Sequence, residues 1–388
     1  MASPTAIDTL GAIGELGTSP RIAVFRALVL GDLLCAVPAL RALRKAWPDG
    51  ELTLIGLPWA ATLAERLPQV DRFIEFPGYP GLPERVPQLA ALPGFLKELQ
   101  QRPFDLLVQL HGSGRIVNPL MAAIGARHTA GFVDAEGYSA EPALHAPWPT
   151  RGHEIERLLA LTDHLGLPRD GVQLEFPLRD DDRQSLRQLW PGAGTRPFVC
   201  IHPGAQLPSR RWAPERFAAV GDLLAARGYE VVITGTAGEH PLADAVSRAM
   251  RQPSTSLVGK TSLWTLGALI ESARLLVCND TGVSHIAAAL GTPSVVVSLG
   301  ADVSRWAPLD RTLHRVVWRN LPCRPCGHAV CPYGHECATT LGVDAVADAV
   351  LDVLEPRMSA PRALADALER GMWFANNSNT VTPSSAAP

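Results

Sequence analysis

Leu275-Leu276-Val277-Cys278-Asn279-Asp280-Thr281-Gly282-Val283-Ser284-His285-Ile286-Ala287-Ala288-Ala289-Leu290-Gly291-Thr292-Pro293, followed by Ser294-Val295-Val296-Val297-Ser298-Leu299, is the stretch that decides the fold class. An apolar run meets polar turn residues, then a small-residue helical pattern that stops at Gly291 before Pro293, where a second buried-strand pattern begins. That order is a β-turn-α-turn-β unit of a parallel sheet. The turn 279–284 therefore sits at a strand's carboxyl end and a helix's amino end. Open backbone N–H groups and the helix dipole favour an anion there, and Gly282 lets a phosphate approach the backbone. The competing expectation is that Asp280 and Thr281 merely cap the helix.

Working outward, 388 residues exceed one ordinary core and suit two α/β domains. With 47% hydrophobic and 19% charged residues, the composition is that of a soluble globular protein, and a net charge of −3 gives no argument for a nucleic-acid partner. No run of about 18 apolar residues marks a membrane span. Residues 1–20 carry Asp8 and Glu15 and lack the basic-then-apolar layout of a signal peptide, so the cytoplasm is the expected location.

In the first half, 21–30 reads as a strand, Gly31-Asp32 breaks it, and 33–47 reads as a helix with a basic end that Pro38 is expected to bend. Asp32 thus stands at the ligand-binding edge of an open α/β sheet, with an N-cap role as the alternative. Strands follow at 51–57, 72–76 and 104–110, with a helix at 89–101. The last strand ends in His111-Gly112-Ser113-Gly114-Arg115, a candidate substrate loop or a plain turn. A short strand near 125–132 and a helix at 154–165 come next. Asp180-Asp181-Asp182, flanked by Arg179 and Arg183, reads as a solvated helix entry rather than a metal site.

The composition turns to Pro/Gly near Trp190, which places a domain boundary there. The expected organisation is a disordered lead at 1–20, an amino-terminal domain at 21–190 and a carboxy-terminal domain at 191–342. A late helix at 343–355 packs back on the first domain, and a disordered tail follows at 356–388. Two doubly wound domains facing a cleft result. In the second domain three strand-end loops converge: His202-Pro203-Gly204-Ala205 with Arg210-Arg211-Trp212, then Gly235 to Glu239, then Asn279 to His285. A cationic loop opposite a helix amino terminus would hold a diphosphate, and Glu239 could accept ribose hydroxyls.

These pieces, together with Leu30-Gly31-Asp32-Leu33-Leu34, Pro38-Ala39-Leu40-Arg41-Ala42-Leu43-Arg44 and Gly259-Lys260-Thr261-Ser262-Leu263, resemble the ADP-heptose:lipopolysaccharide heptosyltransferases of glycosyltransferase family 9. The resemblance runs from about residue 21 to 354. It implies a GT-B fold, inverting transfer, and no cofactor or metal requirement. It makes Asp32 the general base and Arg210 a contact of the donor diphosphate, which the Asp280-Thr281-Gly282 word holds with backbone amides. Glu239, Thr261 and His285 fall on the donor side, and His111, Ser113 and Arg115 on the acceptor side. The expected partners are an ADP-sugar and a lipopolysaccharide core or other glycan, met in the cytoplasm or at the cytoplasmic face of the inner membrane. Where this chain has Arg210 the family usually has Lys, which keeps the charge and changes the geometry.

The chemistry agrees with this reading. A sugar hydroxyl is a poor nucleophile near neutral pH, so a carboxylate must take its proton, and the departing diphosphate needs positive groups around it. Two other readings remain at this level, a nucleotide-sugar epimerase on the same fold and a nucleotide-sugar-binding protein without turnover. Cys323, Cys326, Cys331 and Cys337 stand at spacings that admit tetrahedral zinc, but free buried thiols in a reducing cytosol are the preferred expectation.

Overall fold

The computed structural model describes residue 14 and residues 16–355. The expected disordered tail lies outside these residues, as does most of the expected lead. Within the lead, Leu16 is buried in the first unit's core.

Among the described residues, twelve strands form two parallel sheets of six. The first contains β1 (Arg21–Phe25), β2 (Glu51–Gly56), β3 (Arg72–Glu75), β4 (Leu106–Gln109), β5 (His128–Val133) and β6 (His145–Pro147), in the order β3-β2-β1-β4-β5-β6. The second contains β7 (Phe198–His202), β8 (Glu230–Ile233), β9 (Thr255–Ser256), β10 (Leu275–Asn279), β11 (Ser294–Ser298) and β12 (His314–Trp318), in the order β12-β11-β10-β7-β8-β9. β7, β10 and β11 are buried along their whole length, which is why they read as continuous apolar runs with no alternation.

Both sheets wind outward from their first strand, then return to its other side. The order therefore reverses between β1 and β4 and between β7 and β10, and a crevice opens beyond the carboxyl ends of those strands. The turns that follow these strands carry most of the candidate site residues.

The first of these turns differs from expectation. β1 stops at Phe25, and the helix begins at Leu30 rather than 33, continuing unbroken through the buried Pro38 to Ala46. Arg26, only 1% exposed, ends the strand: its guanidinium turns inward and donates to the carbonyls of Leu110 and Asp32. Asp32 consequently lies inside the first helical turn. The cap position belongs to Val29, whose side chain makes no capping bond.

The helix Val117–Ile124 and the strands β6, β9 and β12 carry too few periodic residues to stand out in the sequence. β9 has two residues, and β12 opens with His314 and Arg315. The late helix Val343–Leu354 packs on β11, β12 and the helix Pro214–Ala225, all in the second unit, which corrects the expected return to the first. Its buried face, Val346 and Val350, completes a cluster with Phe217, Val220 and Leu224.

Two packings join the units. The helix Leu30–Ala46 lies directly against Gly282–Leu290, and Asp180–Leu189 lies against Leu263–Ser272. Across the second packing Arg183 of Asp180–Leu189 pairs with Glu271 of Leu263–Ser272 at 2.7 Å. Asp182 caps its own helix by accepting from the Arg179 N–H at 2.7 Å and also pairs with Arg66 of the first unit.

Candidate active site

One amide binds the sequence words of the second unit together. Asn279, fully buried at the end of β10, accepts from the backbone N–H of Trp212 at 3.0 Å and donates to the Pro203 carbonyl at 2.7 Å. The turn after β10 and the loop after β7 are thus held side by side. Trp212 is anchored in turn by donating its indole N–H to the Leu341 carbonyl at 3.0 Å.

The helix Gly282–Leu290 starts without a side-chain cap: Thr281 occupies the cap position and makes no such bond. The Asp280 carboxylate accepts from Ser298 Oγ at 3.2 Å. Burial pushes that carboxyl above its ordinary range, against the pull of Arg210 and Arg324. The capping alternative therefore fails for both side chains. The amino end of this helix stays available for an anion.

Arg210 lies in the short turn Pro208–Arg210 and donates to the Cys326 carbonyl at 3.2 Å, while its buried Nε has no hydrogen-bond partner among the described residues. Arg324 pins the same wall by donating to the carbonyls of Ser298 at 2.7 Å, Leu299 at 2.9 Å and Ala301 at 2.8 Å. Cys323, Cys331 and Cys337 line a separate small cavity with Tyr333. Among the described residues no group of three or more His, Cys, Asp or Glu side chains is arranged to hold a metal. The cysteine segment meets Arg210, a cleft residue, through the Cys326 carbonyl.

Across from this wall, Asp32 enters from the first unit. Its carboxyl is raised above the usual range by burial and by Glu154, and is pulled back by Arg26, 3.5 Å away, and by Arg305. Asp32, Arg210, Asp280, Thr281, Gly282 and His285 line one cleft of about 440 Å³, joined by Arg305 and Trp306. A cavity of about 830 Å³ continues from it past the shared residues Gly31, Ala205, Thr281 and Gly282 to Glu239 and Thr261. In this structure the Glu239 carboxylate accepts from the N–H of Thr236 at 2.7 Å and from its hydroxyl at 2.9 Å. It rests on Gly204, where a Cβ would stand 1.9 Å from Oε1, so a larger residue there would push the carboxylate out of this position.

His285 is the point where the units touch. Its ring lies against Gly31, with Nδ1 3.7 Å from Cys35 Sγ, and burial pushes its pKa down to about 4, leaving a neutral imidazole. His111, Ser113 and Arg115 follow β4 at the switch point but line neither cavity. His111 is buried on Phe25 and accepts at Nδ1 from the Ala27 N–H at 3.2 Å. Arg115 pairs with Asp134 at 3.2 Å and Glu136 at 3.3 Å. Lys260 likewise stays outside both linings, donating to the Ser256 carbonyl at 3.2 Å.

The residues that sequence reasoning missed are Arg26, Glu154 and Arg305. Arg26 gave a signal, a lone charge inside an apolar strand pattern. The other two lie far apart in the chain and gave none.

The sequence description of glycosyltransferase family 9 (heptosyltransferase) matches residues 94–336. The chain belongs to that family. It is a glycosyltransferase with the GT-B arrangement of two doubly wound domains. Among curated relatives, lipopolysaccharide heptosyltransferase 3 of Escherichia coli K12 is 25% identical over 72% of this chain and 82% of its own. Lipopolysaccharide heptosyltransferase 2 of Salmonella typhimurium is 26% identical over 69% and 79%. The solved E. coli ADP-heptose lipopolysaccharide heptosyltransferase II superposes with a TM-score of 0.70 at 20% identity, covering 87% of this chain and all of its own. A family 9 enzyme from Veillonella parvula gives 0.67 at 23% identity, over 77% and 85%.

Proposed function

We propose that this family 9 enzyme transfers a heptose from an ADP-sugar to a lipopolysaccharide core acceptor, with inversion at the anomeric carbon and without a metal. The observation that carries the reading is the single cleft in which a buried carboxylate from one unit, Asp32, faces Arg210 and the uncapped helix end at Thr281 and Gly282 from the other. The second unit, 191–342, takes the donor, its nucleoside lying toward Glu239 and Thr261. The first unit takes the acceptor.

Asp32 accepts the proton of the acceptor hydroxyl as its oxygen attacks the anomeric carbon from the side opposite the diphosphate. A carboxyl raised by burial is a stronger base than a free one, which suits that task near neutral pH. Charge then builds on the departing diphosphate, where the Arg210 guanidinium, the Gly282 amide and the helix dipole stabilise it. A single displacement of this kind inverts the configuration. No helix among the described residues is long and apolar enough to cross a membrane, and we place the reaction in the cytoplasm, at or near the membrane that carries the acceptor.

Thermal shift with ADP-, UDP-, GDP- and CMP-sugars tests the donor, because a ligand selective for the folded state raises its melting temperature. ADP-heptose should give the largest shift. No preference for ADP-sugars would remove the heptose reading.

A further inference from the structure

Glu154 opens the helix Glu154–His164 of the first unit and is 1% exposed, yet it meets three guanidinium groups. Arg26 lies 3.2 Å from Oε1, while Arg157 at 3.2 Å and Arg305 at 2.7 Å share Oε2. Arg305 comes from the short helix Val303–Trp306 that follows β11, so its bond crosses from the second unit to the first. A second crossing bond stands beside it. His153 Nδ1 accepts from the Ile155 N–H, so Nε2 carries the proton and donates to the Ala307 carbonyl at 2.8 Å.

One buried carboxylate is balanced by one guanidinium, and Arg26 and Arg157 already supply two. Arg305 keeps 30% of its side chain exposed and is not needed to neutralise the core. It does connect the units at Asp32. Arg26, the next link, donates to the Asp32 backbone carbonyl at 2.9 and 3.1 Å and stands 3.5 Å from its carboxylate. Contacts thus run without a break from the donor-side helix Val303–Trp306, through Glu154 and Arg26, to Asp32.

We infer that Arg305 and Glu154 are positioning residues whose ion pair across the cleft holds Arg26, and through it Asp32, in place when the two units are closed. The inference rests on the reading of Asp32 as the base. Neither residue reacts. Opening the units breaks the Arg305 bond and loosens the Arg26 cradle, so the base is set only when donor-side and acceptor-side walls meet. The charged and titratable groups around Asp32 are Arg26 at the end of β1, Glu84 on the loop after β3, Glu154 on its helix, Cys35 on its own helix and, from the second unit, Arg305 with Arg210, Asp280 and His285 of the same cleft. Of these, Arg26 and Arg305 favour the ionised carboxylate and Glu154 opposes it.

The test uses the full chain with ADP-heptose and a heptose-deficient lipopolysaccharide core. It measures kcat against pH and the Kd of ADP by calorimetry for Arg305→Gln, Arg305→Lys, Glu154→Gln and Asp32→Asn. Arg305→Gln should lower kcat by about 10²-fold, the loss typical of a displaced catalytic group, with ADP affinity within about twofold of the parent. Arg305→Lys should recover part of the rate. The acid limb of kcat should move to higher pH in Arg305→Gln, which removes a charge that favours the carboxylate. It should move to lower pH in Glu154→Gln, which removes one that opposes it. A purely structural role would not separate the two limbs in opposite senses, and should Glu154→Gln fail to fold, the Gln and Lys pair at 305 decides. Parent-like kcat and acid limb in Arg305→Gln would overturn the inference, as would an ADP affinity loss equal to the rate loss. Turnover retained in Asp32→Asn would fell the base reading itself, whereas an inactive Asp32→Asn beside a parent-like Arg305→Gln fells only the positioning role.

Discussion

Gly31→Ala is a one-methyl perturbation whose consequence can be worked from the contact between the units. The added Cβ would stand 2.6 Å from His285 Cδ2 and 3.0 Å from Nε2. Carbon atoms settle at about 3.5–4.0 Å, so the helices Leu30–Ala46 and Gly282–Leu290 must part by about 1 Å. His285 is buried with Cys35 beside it and Trp306 beyond, which restricts the ring's retreat. The displacement falls on the two turns that carry Asp32 and the proposed diphosphate end, and about 1 Å of misplacement costs roughly 10²-fold in rate, about 2.7 kcal/mol. The assay is kcat at saturating ADP-heptose for Gly31→Ala, His285→Ala, the double variant and the parent. Without the imidazole the methyl has room, so Gly31→Ala should cost little in the His285→Ala background, leaving a coupling energy of about 1–3 kcal/mol. A Gly31→Ala rate within about twofold of the parent, or the same loss with and without His285, would refute the reasoning.

Three further outcomes follow from the same geometry. Arg210→Ala should weaken ADP binding by about 10- to 100-fold, since a bond to a charged group is worth about 1.5–3 kcal/mol; Arg210→Lys should lose less, and calorimetry reads both. Asn279→Ala strands the Trp212 N–H and the Pro203 carbonyl in a buried site, and should lower unfolding free energy by about 1–3 kcal/mol in a urea titration. Asp32→Asn should melt higher than the parent at neutral pH, because a carboxyl raised by burial contributes stability below its unfolded pKa and loses it as pH rises through the folded value. The melting difference should shrink in acid, where the parent carboxyl is protonated.

The parallel fold was legible because its central strands are buried on both faces and end in glycine- and Asp-bearing turns, as at Asn279 to Gly282. The division of the chain into two windings was legible for the same reason. Strands as short as β9, and β12 with its charged start, leave no periodic trace. The onset of the first helix was misplaced by three residues because Arg26, read as one more strand position, is where the chain leaves the sheet. Arg210, Asp280, Thr281 and Gly282 stand near one another in space as their loops suggested, since each follows a strand beside the switch point. His111 follows such a strand too, but its ring turns inward to the Ala27 N–H. Glu154 and Arg305 could not be paired from the sequence, since 151 positions separate them and only the closure of two domains brings them together.

The proposed proton transfer turns on Asp32. Turnover of Asp32→Asn with ADP-heptose and a heptose-deficient core, measured beside its ADP affinity, tests it most directly. Loss of a general base should lower kcat by about 10²–10⁴-fold with ADP affinity unchanged; turnover equal to the parent's would contradict it.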